Sequence, residues 1–273
     1  MVRGLIVTAD DFGLHERVND AVARAHREGV LTCASLMVGA RAARDAVEVA
    51  RAHPRLRVGL HIVLADGHAV LPPARIPALV DENGRFADRM VRDGFRFFFL
   101  PEVRRQLARE IRAQFEAFAA TGLALDHVNT HKHFHLHPTV LSLILDIGRD
   151  FGMRAMRLPF DSGAPLALRP WIALMRARLA RAGIAHNDRV FGMMASGAMD
   201  TDAILRALAH LPPGVTEIYC HPATHADAPI TESMRDYRHA DELDALLSPC
   251  VASAIASSGA ICGGFADLFP SET

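Results

Sequence analysis

From Asp126 to Pro138 the chain reads Asp-His-Val-Asn-Thr-His-Lys-His-Phe-His-Leu-His-Pro, with an imidazole at every second position from His131 to His137. On an extended strand His131, His133 and His135 share a side, and alternate positions lie roughly 6–7 Å apart, so one ion cannot take all three. One or two metal ligands are expected here, with the remaining imidazoles lining a cleft or steadying the ligands. Asp10 and Asp11 are adjacent carboxylates behind an apolar run, and such like charges are unfavourable unless a cation or proton neutralises them. Their other plain use is to cap the following helix. His61 follows Val58-Gly59-Leu60, and His221-Pro222 follows Ile218-Tyr219-Cys220. Alone, the first reads as a core histidine and the second as one held by backbone before a proline turn. In company, two imidazoles, a carboxylate and an open position for water form a hydrolytic zinc arrangement.

These residues must be positioned by elements, and the pattern supplies them. Apolar or β-branched runs at Gly4 to Ala9, Leu31 to Val38, Val58 to Leu64, Leu125 to His135, Met153 to Leu158, Val190 to Met194, Glu217 to Cys220 and Ala260 to Gly263 predict about eight strands. Helices are expected between them at Val18 to Glu28, Arg41 to Ala52, Pro101 to Thr121 and Pro138 to Phe151, with Pro101 and Pro138 at first helical positions. Such alternation predicts parallel βα units. Asp10-Asp11, His61, the histidine segment and His221 stand at C-terminal strand ends, where a (β/α) barrel builds its active site. A doubly wound open sheet is the rival, but no G-x-G-x-x-G follows the first strand.

With 273 residues, 50% hydrophobic and 22% charged, the chain can bury a large core. A net charge of −1 without a basic arm argues against a nucleic-acid partner. Cys33, Cys220, Cys250 and Cys262 have no C-x-x-C spacing, which fits a reducing cytoplasm. The residues before Asp10 are too few for a signal-peptide core. Ala245 to Ala266, interrupted by Pro249, Gly259 and Gly263-Gly264, predicts a helix, a turn and a strand rather than a membrane span.

Thr8-Ala9-Asp10-Asp11-Phe12-Gly13, Gly59-Leu60-His61, the segment ending His135-Leu136-His137-Pro138, and Cys220-His221-Pro222-Ala223 together resemble the YdjC-like carbohydrate deacetylases over nearly the whole chain. Leu31 to Gly39, Arg96 to Pro101 and Asp126 to Val140 resemble the branch associated with hopanoid biosynthesis, whose substrate is an N-acetylglucosaminyl bacteriohopane lipid. The resemblance implies an α/β, distorted TIM-type barrel forming one domain over residues 1–273, with an insertion at about 66–101 between the third and fourth strands. It implies one divalent ion on Asp11, His61 and His131, and Asp10 as catalytic base. Two imidazoles favour zinc over magnesium, although some relatives are described with magnesium. Chitooligosaccharide deacetylases carry an aspartate where this chain has Asn129, so any role borrowed from that aspartate does not transfer.

The expected reaction is removal of an N-acetyl group from an N-acetylglucosaminyl substrate: Asp10 takes a proton from the attacking water and His221 protonates the leaving amine. His133 or His135 is the alternative acid, and both are expected at the substrate. The rivals are a deacetylase of soluble chitooligosaccharides, another metal-dependent barrel hydrolase such as a phosphoesterase, and a binding protein without turnover. Phe95, Phe97, Phe98, Phe99 and Leu100, flanked by Arg92 and Arg96, predict an apolar lip in which Phe97 and Phe99 meet a lipidic acceptor. Arg169 to Arg181, with Trp171, Leu174, Met175 and Leu179 on one helical face, predicts peripheral contact with the inner membrane. The expected partner is thus an N-acetylated sugar, free or lipid-linked; the oligomeric state is left open, a homodimer included.

Overall fold

The computed structural model describes residues 3–161, 163, 166–225 and 228–270. Its centre is β1 (Arg3–Phe12), buried from Gly4 onward. On one edge β1 pairs with β2 (Cys33–Leu36), followed by β3 (Arg57–Ile62) and β4 (Val128–Thr130); on the other lie β6 (Gly214–Cys220) and then β5 (Arg189–Phe191). Every named pair is parallel. The unbroken apolar run of Leu5, Ile6 and Val7 suits a strand covered on both faces. Helices α1 (Glu16–Glu28), α2 (Ala43–Ala52), α3 (Met90–Phe99), α4 (Pro101–Ala120) and α5 (Pro138–Gly148) occupy the first half. The second half adds α6 (Arg169–Arg181), α7 (Thr201–Ala209), α8 (His239–Leu247), α9 (Pro249–Ser258) and α10 (Phe265–Leu268). Pro101 and Pro138 open α4 and α5 as their missing N–H groups predict.

The expected barrel of about eight staves is only partly formed among the described residues. Met153 to Leu158 makes only isolated bridges, Val128 to Met156 and Ala155 to Ala185. Leu158 bonds to a side chain instead of a strand: its N–H donates to Asn187 Oδ1 at 2.8 Å and its carbonyl accepts from Asn187 Nδ2 at 2.9 Å. The parallel sheet therefore forms a half-barrel that is not fully closed, with no regular ladder between β4 and β5. The last run is no eighth stave either. β7 (Ile261–Cys262) pairs with Gly4 and Leu5 of β1, on the edge opposite β6 and below the stretch that β2 occupies.

The fourth expected strand also stops early. β4 ends at Thr130, and residues 131–136 form a 3-10 turn in which Lys132 and His133 are left-handed, with φ of 54° and 53°. The alternation expected of His131, His133 and His135 is therefore absent, and their rings diverge. Between β3 and β4 the irregular insertion is clasped from one face of α4. Glu110 accepts from Val70 and Leu71 N–H, Gln106 accepts from Ala78 N–H, and Gln114 both accepts from and donates to Val63. These side chains satisfy backbone groups that no sheet provides for.

Helix α6 does not offer its apolar face outward as expected. Ile172, Met175 and Leu179 are buried in the protein, and Trp171 Nε1 donates to Leu136 O at 2.5 Å, leaving Leu174 exposed. No described helix is long and apolar enough to cross a membrane.

Candidate active site

At the C-terminal end of β1 the register with β2 is irregular between Ala9 and Phe12, and Asp11 is left-handed at φ 62°. Consecutive strand residues normally point to opposite faces; a bulge with one residue in this region re-aims a side chain, at a cost usually met at functional sites. The helix that follows is capped by His15, whose Nδ1 accepts from Arg17 N–H at 3.1 Å, so the Asp pair does not serve as its N-cap. Asp11 Oδ1 lies 3.3 Å from His61 Nε2 and 3.1 Å from His131 Nδ1. The two rings are 5.6 Å apart and steeply inclined. Ligand atoms of all three residues lie within 4.8 Å of one another. Both Asp11 oxygens are buried without a hydrogen-bond partner. Burial raises the pKa of this carboxyl, but His131 and His61 outweigh it and hold the group well below the carboxylate range. An ionised, acceptor-only group orphaned among imidazole nitrogens fits a divalent cation, and two nitrogens with one oxygen match a zinc donor set.

Asp10 has a different environment. Arg157, wholly buried, sends Nη1 to Asp10 Oδ2 at 2.5 Å and Nη2 to Oδ1 at 3.0 Å. The same guanidinium bonds Glu217 through Nε at 2.9 Å and Nη2 at 2.7 Å, and lies over the Tyr219 ring at 4.4 Å. Thr8 Oγ1 adds a bond to Glu217 at 2.7 Å, and Asn129 Nδ2 one to Asp10 Oδ1 at 3.1 Å. Burial would push the Asp10 pKa up, yet Arg157 and then His61 hold it far below the ordinary range. A carboxylate has about four lone-pair sites, so Arg157 and Asn129 leave one for a further donor. The expected conflict between neighbouring carboxylates is thus settled in two ways: an internal cation neutralises Asp10, and Asp11 is left to the imidazoles.

Asp10, His61 and His131 open onto a cleft of about 240 Å³ that also includes His133, Tyr219, His221, Tyr237 and Lys132. The His221 backbone is held on both sides: its N–H donates to Glu242, and its carbonyl accepts from His239 Nδ1 at 2.5 Å. Its ring Nδ1 is buried and unpartnered, and burial lowers its pKa. His133 Nε2 is paired with Tyr219 Oη at 2.8 Å. Lys132 ties Asp66 at 3.0 Å and Asp88 at 2.7 Å, and Ser233 donates to Asp66, so the insertion and the loop before α8 meet at the rim.

Three of the four expected substrate residues, His135, Phe97 and Phe99, do not line this cleft. His135 is fully buried, with Nδ1 on Thr130 Oγ1 at 2.7 Å and Nε2 on Arg157 O at 3.2 Å; the 3-10 turn has carried it into the core. Burial also pushes its pKa down to about 3, so it is neutral. Phe97 is buried too, 5.3 Å from the Phe134 ring and 6.2 Å from that of His137, because the inward face of α3 carries it. Phe99 is 65% exposed, together with Val91, Phe95, Phe98 and Leu100. Sequence reasoning passed over Arg157, Tyr219, Tyr237 and Glu242. The available signal was charge inside expected strands, Arg157 in Met153 to Leu158 and Glu217 at the head of Glu217 to Cys220.

Known proteins are similar to this chain over most of its length. A family profile described as YdjC-like protein matches residues 4–257. A carbohydrate deacetylase of Brevibacillus brevis is 34% identical over 242 residues, covering 89% of this chain and 90% of that protein. A chitooligosaccharide deacetylase of Serratia marcescens is 32% identical over 270 residues, covering 98% and 100%. Among solved structures, an Enterococcus faecalis protein named for cellobiose-phosphate cleavage superposes with a TM-score of 0.80 at 25% identity, covering 98% of this chain and 99% of that one. The chain belongs to the YdjC-like family.

Proposed function

We propose that this protein is a metal-dependent carbohydrate deacetylase that removes the acetyl group from an N-acetylglucosaminyl substrate. The observation that carries the reading is Asp11, whose two buried oxygens lack partners while facing His61 Nε2 and His131 Nδ1, with ionised Asp10 beside them. Asp11, His61 and His131 would hold the ion. When bound, such an ion supplies Lewis-acid polarisation of a carbonyl and lowers the pKa of water.

The chain's own groups divide the remaining work. Asp10 stays ionised and has a lone-pair site left for the proton of an attacking water. Arg157 keeps that carboxylate aimed, through a fork that a lysine could not reproduce. His221, fixed at its backbone by Glu242 and His239, has a free ring nitrogen from which an amine leaving group can be protonated. Tyr219 and His133, bonded to each other, line the wall against which a sugar ring would lie.

For the acceptor end of the substrate, the reading extends to a lipid-linked sugar, a glycosylated hopanoid in particular. Support comes from Val91, Phe95, Phe98, Phe99 and Leu100, exposed together on and after α3 in the insertion that Lys132 ties to the cleft rim. Contiguous exposed apolar side chains of this kind mark interaction surfaces. The 32% identity to the Serratia marcescens chitooligosaccharide deacetylase favours a soluble oligosaccharide instead. The test is acetate release from N-acetylglucosamine, a chitooligosaccharide and an N-acetylglucosaminyl hopanoid, with and without chelator, for wild type and Asp11→Asn. Chelator-sensitive acetate release that Asp11→Asn abolishes is expected. Full activity of Asp11→Asn in chelator would overturn the metal reading, and preference for the chitooligosaccharide would overturn the lipid one.

A further inference from the structure

Beneath the cleft, buried polar side chains from β2, β3, β4 and the residues just before β4 join into one hydrogen-bonded chain. Both Asp10 oxygens accept from the Arg157 guanidinium, and the Asn129 atom that joins them at 3.1 Å is its Nδ2. That orients the amide. Asn129 Oδ1 then faces His61 Nδ1 at 2.6 Å, which must carry the hydrogen and leaves Nε2 bare toward Asp11. The second Nδ2 hydrogen goes to Ser35 Oγ at 2.9 Å. Ser35 keeps its own hydrogen to give, and His127 Nε2 stands 3.0 Å from its Oγ, the acceptor in the relay. His127 Nδ1 therefore carries a hydrogen and donates it to Asp126 Oδ2 at 2.8 Å. The Asp126 carboxylate also accepts from the N–H groups of Phe265 at 3.1 Å and Ala266 at 2.9 Å.

Packing fixes this chain as firmly as hydrogen bonding. The His127 ring stacks on Phe265 at 4.7 Å, and a β-carbon at Gly59 would stand 2.5 Å from its Cε1. Only glycine at position 59 leaves room for the ring. His127, Cys33 and Asp126 have ligand atoms within 4.8 Å of one another, which is the spacing of a metal site. Their polar atoms are already partnered, however: His127 on both nitrogens, and the Cys33 thiol with Asp126 at 3.6 Å. The trio is the end of a relay.

We propose that this one-way relay, His61 to Asn129 to Ser35 to His127 to Asp126, positions His61: it fixes the ring's tautomer and aim from the base of the barrel. Asn129, Ser35, His127 and Asp126 are positioning residues in this scheme. The inference rests on the proposed function only in taking His61 as a metal ligand. Outer partners of metal-bound histidines typically contribute about 10–100-fold in metal affinity. Cutting the chain at one link forfeits that contribution, and a second cut then has little left to remove.

The test has two arms. Zinc dissociation constants, measured by competition with a chromophoric chelator, are compared for wild type, Ser35→Ala, His127→Phe and the double variant, with Phe265→Leu as a packing control. Each single relay variant should bind about tenfold more weakly, and the double variant no more weakly than either single one. Phe265→Leu should lose thermal stability but keep wild-type affinity. In the second arm, 15N-histidine spectra of the zinc-free protein read His127 directly. Wild type should show a hydrogen on Nδ1 and a hydrogen-bonded Nε2. In Asn129→Asp nothing donates to Ser35, so its hydroxyl turns to the new carboxylate and His127 Nε2 loses its hydrogen bond, which shifts its 15N resonance. Unchanged zinc affinity in both Ser35→Ala and His127→Phe, additive losses in the double variant, or an unchanged His127 signal in Asn129→Asp would each overturn the relay. If wild type binds no zinc, His61 as ligand fails with the proposed function, while the spectra still decide whether the relay exists.

Discussion

Replacing Arg157 by methionine keeps most of the side-chain volume and removes the one cation between Asp10 and Glu217. Four hydrogen bonds vanish, two to each carboxylate, all in a site where the guanidinium is fully buried. Removing one partner of a buried ion pair costs about 3–5 kcal/mol, because the other charge stays buried and uncompensated. Here two charges are left, so a loss of about 5 kcal/mol is expected at neutral pH. The sign of the pH dependence is more diagnostic. In wild type the folded-state pKa of Asp10 is depressed, so its stabilisation is present above the ordinary carboxylate value of 3.8 and is lost as pH falls through the folded pKa. Without Arg157, burial dominates and raises the Asp10 pKa, so the variant loses stability as pH rises above that same value. Its deficit relative to wild type must therefore shrink toward about pH 5 and widen toward about pH 8. Urea unfolding followed by fluorescence of Trp171, the only tryptophan, gives both numbers. A deficit below about 1 kcal/mol, or one that does not change with pH, would refute the assignment of Arg157 as the counter-charge. Adding Glu217→Gln should recover part of the loss by removing one stranded carboxylate.

Other expectations follow from the same geometry. Burial pushes the Glu242 carboxyl from its ordinary 4.5 up to about 7, so the folded state favours the proton and this group destabilises progressively as pH rises across that window. At about 1.4 kcal/mol per pH unit the span is about 3 kcal/mol, so the stability of Glu242→Gln relative to wild type should improve by about that much from pH 4.5 to above pH 7 in urea titrations. A constant penalty should persist, since both oxygens accept backbone N–H groups and an amide can offer only one. Phe97→Ser, which opens a cavity beside Phe134, should cost about 3–5 kcal/mol, whereas Phe99→Ser at the surface should stay within about 0.5 kcal/mol; equal thermal shifts would contradict their assigned burial. His221→Ala should slow amide hydrolysis by about 10²–10⁴-fold and an activated ester far less, because the ester's leaving group needs no proton. Equal losses on both substrates in steady-state kinetics would exclude it as the acid.

Much of the architecture could be read from pattern because burial on both faces writes a short apolar run, and proline at a helix start writes its boundary. Strand β1 and helices α4 and α5 are where the sequence places them. The misses share a cause: local pattern cannot see what the backbone bonds to at a distance. Met153 to Leu158 has strand composition, but Leu158 is satisfied by the Asn187 side chain. Gln106, Glu110 and Gln114 recur every fourth residue and look like the wet face of α4, yet they are buried because the insertion needs their bonds. The apolar stripe of α6 fits a membrane surface as well as a protein core, and periodicity does not distinguish the two.

The site was legible in its residue types and misread in its geometry, and the histidine segment shows why. Alternation of His131, His133 and His135 carries information only if the strand continues, and it ends at Thr130. Left-handed Lys132 and His133 then send His131 toward Asp11, His133 toward Tyr219 and His135 into the core. The Asp pair was read more fully, since adjacent carboxylates do require compensation. What the pair could not reveal is that each aspartate is compensated differently. The missing cue was at a distance: a buried arginine in one apolar run requires buried acids elsewhere, and Glu217 in the interior of β6 and Asp10 at the end of β1 were the acids available. Once Arg157 is assigned to those two, Asp11 is the member of the adjacent pair left without a cation, and the imidazoles of His61 and His131 converge on it. The placement of Arg157 therefore distinguishes Asp11 from Asp10, which identity and spacing do not.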